Sequence, residues 1–358
     1  MPSLKEIKGR INSISSTLAI TSAMKMVAAA KLQKAQMAIQ NMLPYERRLY
    51  SMLLDLMGAM NISAAASEDG SVRGSGSAER GFDQSGDRLS LSNRHDLAGM
   101  DGAYSLMAQR EVRKVAIVAF ASNSSLCGAF NSNVIREATA VINEYRASGL
   151  RDSDIVVYSV GRKMAEAMRK LGFPSPADFT KMSDSPSYEA ASALAQELLD
   201  GFVSGRFDKV ELVYNHYKST SSQPTIRQTY LPLSLADATA DIQVGKITDS
   251  ASESDTNRGA EPVGAPVVRQ GSPTTEDLIV EPSKEALIAT LLPKVIRLRI
   301  FTTLLDSAAA EHAARTVAMQ LATDNGNDLL QELTLEYNKG RQQKITSEIL
   351  DLVGGSMQ

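Results

Sequence analysis

Residue types that carry chemistry are scarce in this chain of 358 residues. Its single cysteine, Cys127, excludes an internal disulfide bond and any metal cluster built from cysteines. The three histidines, His95, His216 and His312, are widely scattered and do not show the spacing of metal ligands. Tryptophan is absent and aromatic residues make up only 5% of the chain, a composition that suits helix packing better than a β-sandwich or a carbohydrate-binding cleft.

The chain also lacks long apolar runs and a strong net charge. No run approaches the length of a membrane span. The amphipathic pattern begins at Leu4, so we expect no cleaved signal or transit peptide. We therefore expect a soluble, intracellular protein that can still dock on something embedded in a membrane. The formal net charge is −3, so bulk charge does not indicate nucleic-acid binding. Residues 1–48 nevertheless carry eight basic side chains and two acidic ones, so this end should prefer acidic partners.

Long helical patterns occupy the two ends of the chain. Residues 4–42 and 294–353 contain no proline, and in the first segment apolar or small residues recur at the three- and four-residue steps of a coiled coil. Only Thr21 and Lys25 interrupt this seam. At 1.5 Å per residue the helices would be roughly 60 Å and 90 Å long, and the simplest partner for each is the other. The apolar positions are Leu4, Ile7, Ile11, Ile14, Leu18, Ala28, Leu32, Ala35, Ile39 and Met42, then Leu298, Leu305, Ala309, Met319, Leu330, Leu333, Ile345, Ile349 and Leu352.

The middle of the chain alternates short apolar strands with helices. The predicted strands cover residues 115–120, 155–160, 210–214 and 225–231, and the predicted helices cover about 131–146, 162–171 and 188–202. This alternation indicates a small α/β sheet domain. The fold class is therefore predicted to be α/β, with two long terminal helices.

These patterns divide the chain into five segments, and two of them are polar. We predict that the last helix opens at Ser283, which is a good N-cap residue. The polar segments lack large apolar residues, so we expect them to be flexible. The segments are a coiled-coil helix at 1–60, a flexible insertion at 61–110, the α/β domain at 111–237, a polar linker at 238–276 and a second coiled-coil helix at 277–358.

One loop contains the strongest candidates for chemistry. Residues 122–131 connect a predicted strand to a predicted helix, where α/β folds often bind phosphates. The loop has one glycine and no phosphate-binding motif, so a structural turn is a better interpretation than a nucleotide site. Cys127 has no nearby histidine or other base, which favours a half-buried structural thiol over a nucleophile. The sequence therefore predicts no catalytic residue, metal or cofactor.

The segment at residues 20–31 is apolar or small almost all the way round its predicted helix, which a solvent-facing surface should avoid. One explanation is that the partner helix covers one side and tertiary packing covers the rest. The other is that this segment passes through a close-fitting ring of partner surfaces. The pattern alone does not separate them.

The same segment carries a resemblance to a known family. Residues 20–31 resemble the N-terminal motif of the F-type ATP synthase gamma subunit. Residues 311–326 and 337–354 resemble the C-terminal helix of that family. Residues 126–131 and 214–224 resemble its middle domain in the expected order. The resemblance covers nearly the whole chain outside the two polar segments.

The resemblance implies a non-catalytic rotor shaft with no cofactor of its own. An antiparallel coiled coil would stand inside the hexamer of alpha and beta subunits, and a Rossmann-like α/β domain at its foot would bind the epsilon subunit and the membrane c-ring. Proton flow would turn the ring and the shaft, which would force the catalytic sites on beta through their conformations. The protein would lie peripherally on the cytoplasmic face of the bacterial plasma membrane.

The resemblance also implies five partner-contact residues. Arg341, Gln342 and Thr346 lie within about one and a half helical turns and would meet a loop of beta. Met24 and Lys25 would lie on the neighbouring helix. Arginine suits such a contact because it can bind a carboxylate with two parallel hydrogen bonds. Without the resemblance, an ordinary polar helix face would be the preferred interpretation.

Two other functions remain as alternatives on the sequence. A coiled-coil scaffold or nucleic-acid-binding protein would use the basic N-terminal helix and bind DNA in a strongly salt-dependent way. Such a protein would need stacking aromatics and a wider basic surface, which this chain lacks. A nucleotide-dependent α/β enzyme would hold its ligand at residues 122–131.

Overall fold

The computed structural model describes most of the chain outside the two polar segments. The predicted linker at 238–276 and most of the predicted insertion at 61–110 lie outside the described residues. The described residues are 3–68, 106–107, 110–233, 281 and 283–355. In chain order the elements are α1 (Leu4–Glu68), β1 (Val115–Phe120), α2 (Phe130–Ala147), β2 (Ile155–Val160), α3 (Arg162–Lys170), α4 (Thr180–Asp184), α5 (Tyr188–Val203), β3 (Lys209–Asn215), β4 (Thr225–Leu231) and α6 (Lys284–Gly355).

The terminal helices α1 and α6 pack against each other and confirm the predicted pairing. They contain 65 and 72 residues, so each is roughly 100 Å long. Leu4 lies beside Gly340 and Leu18 lies beside Gly326, so the two helices run antiparallel. Helix α1 continues through Pro44 and ends at Glu68.

The coiled-coil seam of α1 continues through the two polar residues that interrupt its apolar pattern. Thr323 Oγ1 on α6 donates a hydrogen bond to Thr21 Oγ1 over 3.3 Å. The Lys25 ammonium donates to the side-chain oxygen of Gln320 on the same helix. Thr21 and Lys25 therefore lie inside the helix contact. Polar residues at seam positions reduce stability but restrict which residues can face each other.

Small residues bring the two helices close together. A Cβ atom at Gly326 would lie 2.6 Å from Leu18 Cδ2, so a larger residue there would displace the leucine. Nearer the α/β domain, Leu32 lies in one buried cluster with Ala309 and Ala313. The pair of helices α1 and α6, which we call the shaft, is therefore thin along this section.

The four strands form one sheet in the order β2-β1-β3-β4 and fall where they were predicted. β1 pairs in parallel with β2 and β3, and β4 runs antiparallel to β3. Gly161 ends β2 with a φ of +96°, and a Cβ atom there would lie 2.0 Å from the Ala121 carbonyl oxygen. Only glycine fits this close turn.

The sheet separates two hydrophobic clusters. One face packs on α2 and α3, for example through Ile117 and Ile142. The other face packs on α5, α1 and α6, where Phe120, Leu198 and Leu292 share one cluster. The α/β domain and the lower part of the shaft therefore have a common core.

A buried carboxylate holds β4 and α2 to the sheet. Glu211 on β3 accepts hydrogen bonds from the Tyr145 hydroxyl at 2.6 Å and from Arg227 Nε at 2.7 Å. It also forms an ion pair with the Lys209 ammonium at 2.7 Å. Burial by itself would raise the pKa of Glu211, but the hydrogen bonds from Arg227, Lys209 and Tyr145 together hold it below its ordinary value. This network has a structural role.

Helix α6 begins where the sequence predicts. The hydroxyl of Ser283 accepts a hydrogen bond from the backbone N–H of Ala286 over 3.1 Å, which is the N-cap interaction. The short helix α4 and the 3-10 turn at Asp152–Asp154 were not predicted, because neither is long enough to show a helical period.

Candidate partner-contact surface of the shaft

The C-terminal end of α6 extends past the first turn of α1. Helix α1 begins at Leu4, level with Gly340, and every residue from Arg341 to Leu350 is exposed. We call residues 341–353 the tip. It extends beyond α1 as a single helix, and Leu352 and Val353 are exposed as well.

Three of the predicted contact residues lie together at the base of the tip. Arg341 and Gln342 are exposed. The hydroxyl of Thr346 donates a hydrogen bond to the backbone carbonyl of Gln342 over 2.9 Å, so it turns back onto its own helix. The guanidinium and the amide are accessible to a partner.

Met24 and Lys25 do not join this group. Lys25 lies level with Gln320, and at 1.5 Å per residue the distance from Gln320 to Gly340 along α6 is about 30 Å. Met24 is 42% exposed and faces outward, whereas the Lys25 ammonium is bound within the seam. The predicted contact residues therefore divide into two separate places on the shaft.

The apolar stripe of α6 changes face where α1 begins. Beside α1 the half-buried seam positions include Leu333, Tyr337 and Gly340. If the alternating three- and four-residue spacing of the seam continued into the tip, it would fall on polar residues, starting at Lys344. The apolar residues of the tip instead follow one position later, at Ile345, Ile349 and Leu352. One residue corresponds to about 100° around a helix. The apolar face of the tip is therefore rotated by about 100° from the α1 side, and Leu352 is 74% exposed.

A second exposed apolar stripe lies on α1. Ile20, Met24 and Val27 follow helical spacing and are 57%, 42% and 58% exposed. Packing within the described chain therefore does not cover this side of the segment at 20–31. Of the two explanations for its composition, the one that relied on tertiary packing does not hold for these side chains.

The loop at residues 122–131 docks on α6. Arg315 on α6 donates to the carbonyl of Ser125 at 2.6 Å and to the hydroxyl of Ser124 at 2.8 Å. Cys127 is fully buried rather than half-buried, and its sulfur accepts a hydrogen bond from the Asn131 amide over 3.1 Å. The prediction of a structural turn holds, although the thiol is deeper than expected.

Helix α6 occupies the crevice where related α/β sheets bind ligands. The strand order reverses between β1 and β3. The carboxyl ends of both strands face α6. A cavity that remains between Phe120, Val160, Leu304 and Glu311 has a volume of about 10 Å³, room for one water molecule. This cavity is too small for a nucleotide.

The loop after β3 contacts both helices of the shaft. The Asp306 carboxylate on α6 pairs with His216 Nδ1 at 2.6 Å and accepts the Tyr217 N–H at 2.9 Å. Gln36 Nε2 on α1 donates to the Tyr217 hydroxyl at 2.6 Å. The hydrogen bond to Asp306 raises the pKa of His216, against the opposing effects of burial and Lys218. Sequence reasoning missed this site, because no local pattern connects residues so far apart in the chain.

Two other titratable groups on α6 have shifted pKa values. Burial lowers the pKa of His312 to about 4, and the nearby charges of Lys31 and Arg315 lower it further. Its Nδ1 atom is buried without a hydrogen-bond partner among the described residues. Burial raises the pKa of Glu311, although its ion pair with Arg315 at 2.7 Å opposes the shift.

Neither a metal site nor a membrane span is present in the described parts of the chain. In residues 3–68, 110–233 and 283–355, histidine, cysteine and carboxylate side chains form no group of three that could hold a metal ion. None of the helices described there is both long and apolar enough to cross a bilayer.

Comparison with known proteins gives a consistent result over the whole chain. A family model described as ATP synthase matches residues 3–357. The chain is 46% identical over 357 residues to the ATP synthase gamma chain of Phocaeicola vulgatus and 45% identical over 358 residues to that of Bacteroides thetaiotaomicron, with 100% of both chains covered in each case. A chain in the OSCP/F1/c-ring structure of Euglena gracilis mitochondrial ATP synthase matches with a TM-score of 0.52 at 18% identity, covering 99% of this chain and 93% of that chain. At this identity the structural match shows the fold alone.

Proposed function

Because the chain belongs to the ATP synthase gamma chain family, we propose that it transmits torque as the central rotor shaft of an F-type ATP synthase. It is a non-catalytic subunit of a complex that makes ATP from ADP and phosphate with a proton gradient. The observation that carries this proposal is the antiparallel pair α1 and α6, which extends from the α/β domain and ends in the exposed tip. Two paired helices resist bending and twisting better than one, which a shaft requires.

The exposed surfaces of the shaft would contact the hexamer of alpha and beta subunits. The tip and the stripe at Ile20, Met24 and Val27 expose apolar side chains in helical rows, as expected for helix faces that pack on partners. At the base of the tip, Arg341 and Gln342 would bind an acidic loop of beta, with Thr346 beside them. Lys25 would contribute through its position in the seam and Met24 through its exposed side chain.

The α/β domain would form the foot of the rotor. We propose that it binds the epsilon subunit and the membrane c-ring, so that the chain associates with the membrane only through the ring. In a bacterial cell this places the protein peripherally on the cytoplasmic face of the plasma membrane. Bacterial relatives that match over their full length support this location.

The alternatives are less well supported. Family membership does not favour a nucleic-acid-binding scaffold. A nucleotide-dependent enzyme would need space at residues 122–131, and α6 occupies that place through Arg315.

The proposal is tested by measuring ATP hydrolysis with purified subunits. We expect the chain alone to be inactive, and we expect the activity of alpha and beta together to depend on adding it. Turnover by the isolated chain, or an assembly that is indifferent to its presence, would contradict the rotor function.

The contact at the base of the tip is tested by a double substitution. Arg341→Ala with Gln342→Ala would remove the proposed hydrogen bonds to beta, and a hydrogen bond to a charged group is typically worth about 1.5–3 kcal/mol. We expect lower turnover and weaker coupling between hydrolysis and proton pumping in reconstituted vesicles, while helix content by circular dichroism stays unchanged. The matched control is Gln331→Ala with Glu332→Ala, because both side chains are exposed on the same helix. Equal behaviour of the two doubles would exclude a specific contact at Arg341 and Gln342.

A further inference from the structure

Two consecutive residues of the α/β domain reach both helices of the shaft at one level. His216 and Tyr217, directly after β3, hold the Asp306 carboxylate of α6 from two directions, at 2.6 Å and 2.9 Å. The hydroxyl of Tyr217 accepts a hydrogen bond from Gln36 on α1 at 2.6 Å. The tyrosine ring packs against the buried cluster that contains Leu32. Tyr217 therefore links the domain to both α6 and α1.

A second loop binds α6 about two and a half turns further along. The Arg315 guanidinium donates to Ser124 and Ser125 in the loop after β1, and it also pairs with Glu311 at 2.7 Å. Past this loop, the side chain of Thr323 bonds to α1. The contacts of Asp306 and Arg315 thus lie where the coiled coil leaves the domain.

Polar contacts at this place add an angular restraint to the packing of the apolar core. Interdigitated side chains between the sheet and α6 resist separation and large rotations, whereas hydrophobic attraction itself has no direction. Hydrogen bonds weaken steeply when donor and acceptor are misaligned, so they resist rotation of the domain about the shaft. The Asp306 carboxylate is well placed for this role because its side chain is only 18% exposed and accepts from two consecutive residues.

We propose that Asp306 and Tyr217 form a joint that fixes the rotational setting of the α/β domain on the shaft, and that Asp306 is a positioning residue for coupling. This inference rests on the rotor function. When the ring turns the domain, the joint makes both helices turn with it at the point where they emerge. Loss of the joint loosens the domain on the shaft while the coiled coil and the hexamer contacts remain.

The first measurement is hydrogen exchange at the Tyr217 amide in the full-length chain. Asp306→Ala removes the acceptor of this N–H, and we expect the opening equilibrium to rise roughly tenfold or more. Asp306→Asn keeps an acceptor oxygen but loses the charge that pairs with His216, so it should recover much of the protection. Unchanged exchange in Asp306→Ala would show that the contact does not form and would overturn the proposal.

The second measurement is the ratio of protons pumped to ATP hydrolysed by the reconstituted complex. We expect Asp306→Ala to lower this ratio while hydrolysis by alpha, beta and the variant chain stays near the wild-type rate, with Asp306→Asn between the two. Asp328→Ala, an exposed carboxylate on the same helix, is the matched control and should keep the wild-type ratio.

The outcomes separate the joint from the rotor function. A wild-type ratio in Asp306→Ala, together with faster exchange at Tyr217, would show that the joint opens without affecting coupling and would overturn the proposal. If Asp306→Ala does not fold, Tyr217→Phe removes only the hydroxyl that binds Gln36, and it must lower the ratio for the proposal to stand. If a complex assembled from the other wild-type subunits without this chain still pumped protons, the rotor function itself would be refuted.

Discussion

The two ends of α6 contain similar apolar residues in opposite environments. Near the start of the helix, Leu292 and Val295 are fully buried between the sheet and α1. In the tip, Ile349 and Leu352 are 54% and 74% exposed. Both segments are helical and amphipathic, so the local sequence does not explain the difference.

This difference indicates where stability comes from and where partners bind. Burial of a large apolar side chain contributes about 1.5–3 kcal/mol. The buried residues in the N-terminal half of α6 therefore attach the α/β domain to the two long helices. The tip gains nothing of this kind within the chain. Its apolar residues can instead be buried by another subunit, which is consistent with the proposed contact to the hexamer.

The largest expected effect is in the buried half. Leu292→Ala should reduce the free energy of unfolding by about 2–5 kcal/mol, because it leaves a cavity at a fully buried position. Leu352→Ala in the tip should change it by less than about 0.5 kcal/mol. Urea denaturation of the full-length chain measures both. Similar losses at both positions would remove the distinction between the two ends of α6.

The next effect concerns the middle of the coiled coil. Leu18 is half-buried, so Leu18→Asp removes apolar area worth at most about 1.5–3 kcal/mol, and it also places a charge against Gly326. We expect the helices to melt at a lower temperature by circular dichroism. Ser15→Asp on the exposed side of the same helix is the control. If α1 and α6 separated in solution, the two variants would melt alike.

A smaller effect is expected from the buried histidine on α6. The pKa of His312 is lowered from 6.5 to about 4. Between these two pH values the histidine is protonated in the unfolded state but stays neutral in the folded state. Stability should therefore fall as the pH decreases from 6.5 to about 4. The full shift corresponds to about 3 kcal/mol, and the partial exposure of the ring reduces this to roughly 2 kcal/mol. Urea denaturation of His312→Gln should show a smaller decrease in the free energy of unfolding over this pH range than the wild type shows.

His216 provides a control of opposite sign. Its pKa is raised by Asp306, so its contribution is present below its ordinary pKa and is lost as the pH rises through the higher folded value. His216→Gln should therefore lose more stability relative to wild type at pH 6 than at pH 8. If the difference from wild type did not depend on pH for either histidine, these assignments would be wrong.

The smallest effect concerns the polar pair in the seam. Gln320→Leu removes the hydrogen-bond partner of Lys25, which can still reach water, so we expect a loss of about 0.5–1.5 kcal/mol. Adding Lys25→Leu replaces the polar layer with an apolar one and should recover that loss, at the cost of a less restricted register. Denaturation profiles measure both variants. A double variant less stable than Gln320→Leu would show that the lysine contributes through some other contact.

Several parts of the fold could be predicted because they depend on neighbours in the chain. The strand at 115–120 is a short apolar run, and Ser283 is an N-cap recognisable from its type and place. Thr21 and Lys25 appeared as interruptions of the seam, since a pattern of apolar residues cannot show that Thr323 and Gln320 would face them. The contact residues at the tip were predicted only through the family resemblance. Their separation from Lys25 became visible with the antiparallel register.

By itself, the sequence determined that the chain has two long helices with a coiled-coil seam, because a heptad period is a property of each segment alone. It also determined the four strands. Only the tertiary structure decided the register of the helices, the position of α6 in the crevice of the sheet, and the joint between Asp306 and Tyr217. These contacts link residues that are 89 to 302 positions apart, and they form only when the remote surfaces fit together. The same packing covers the lower half of α6 and leaves the tip exposed.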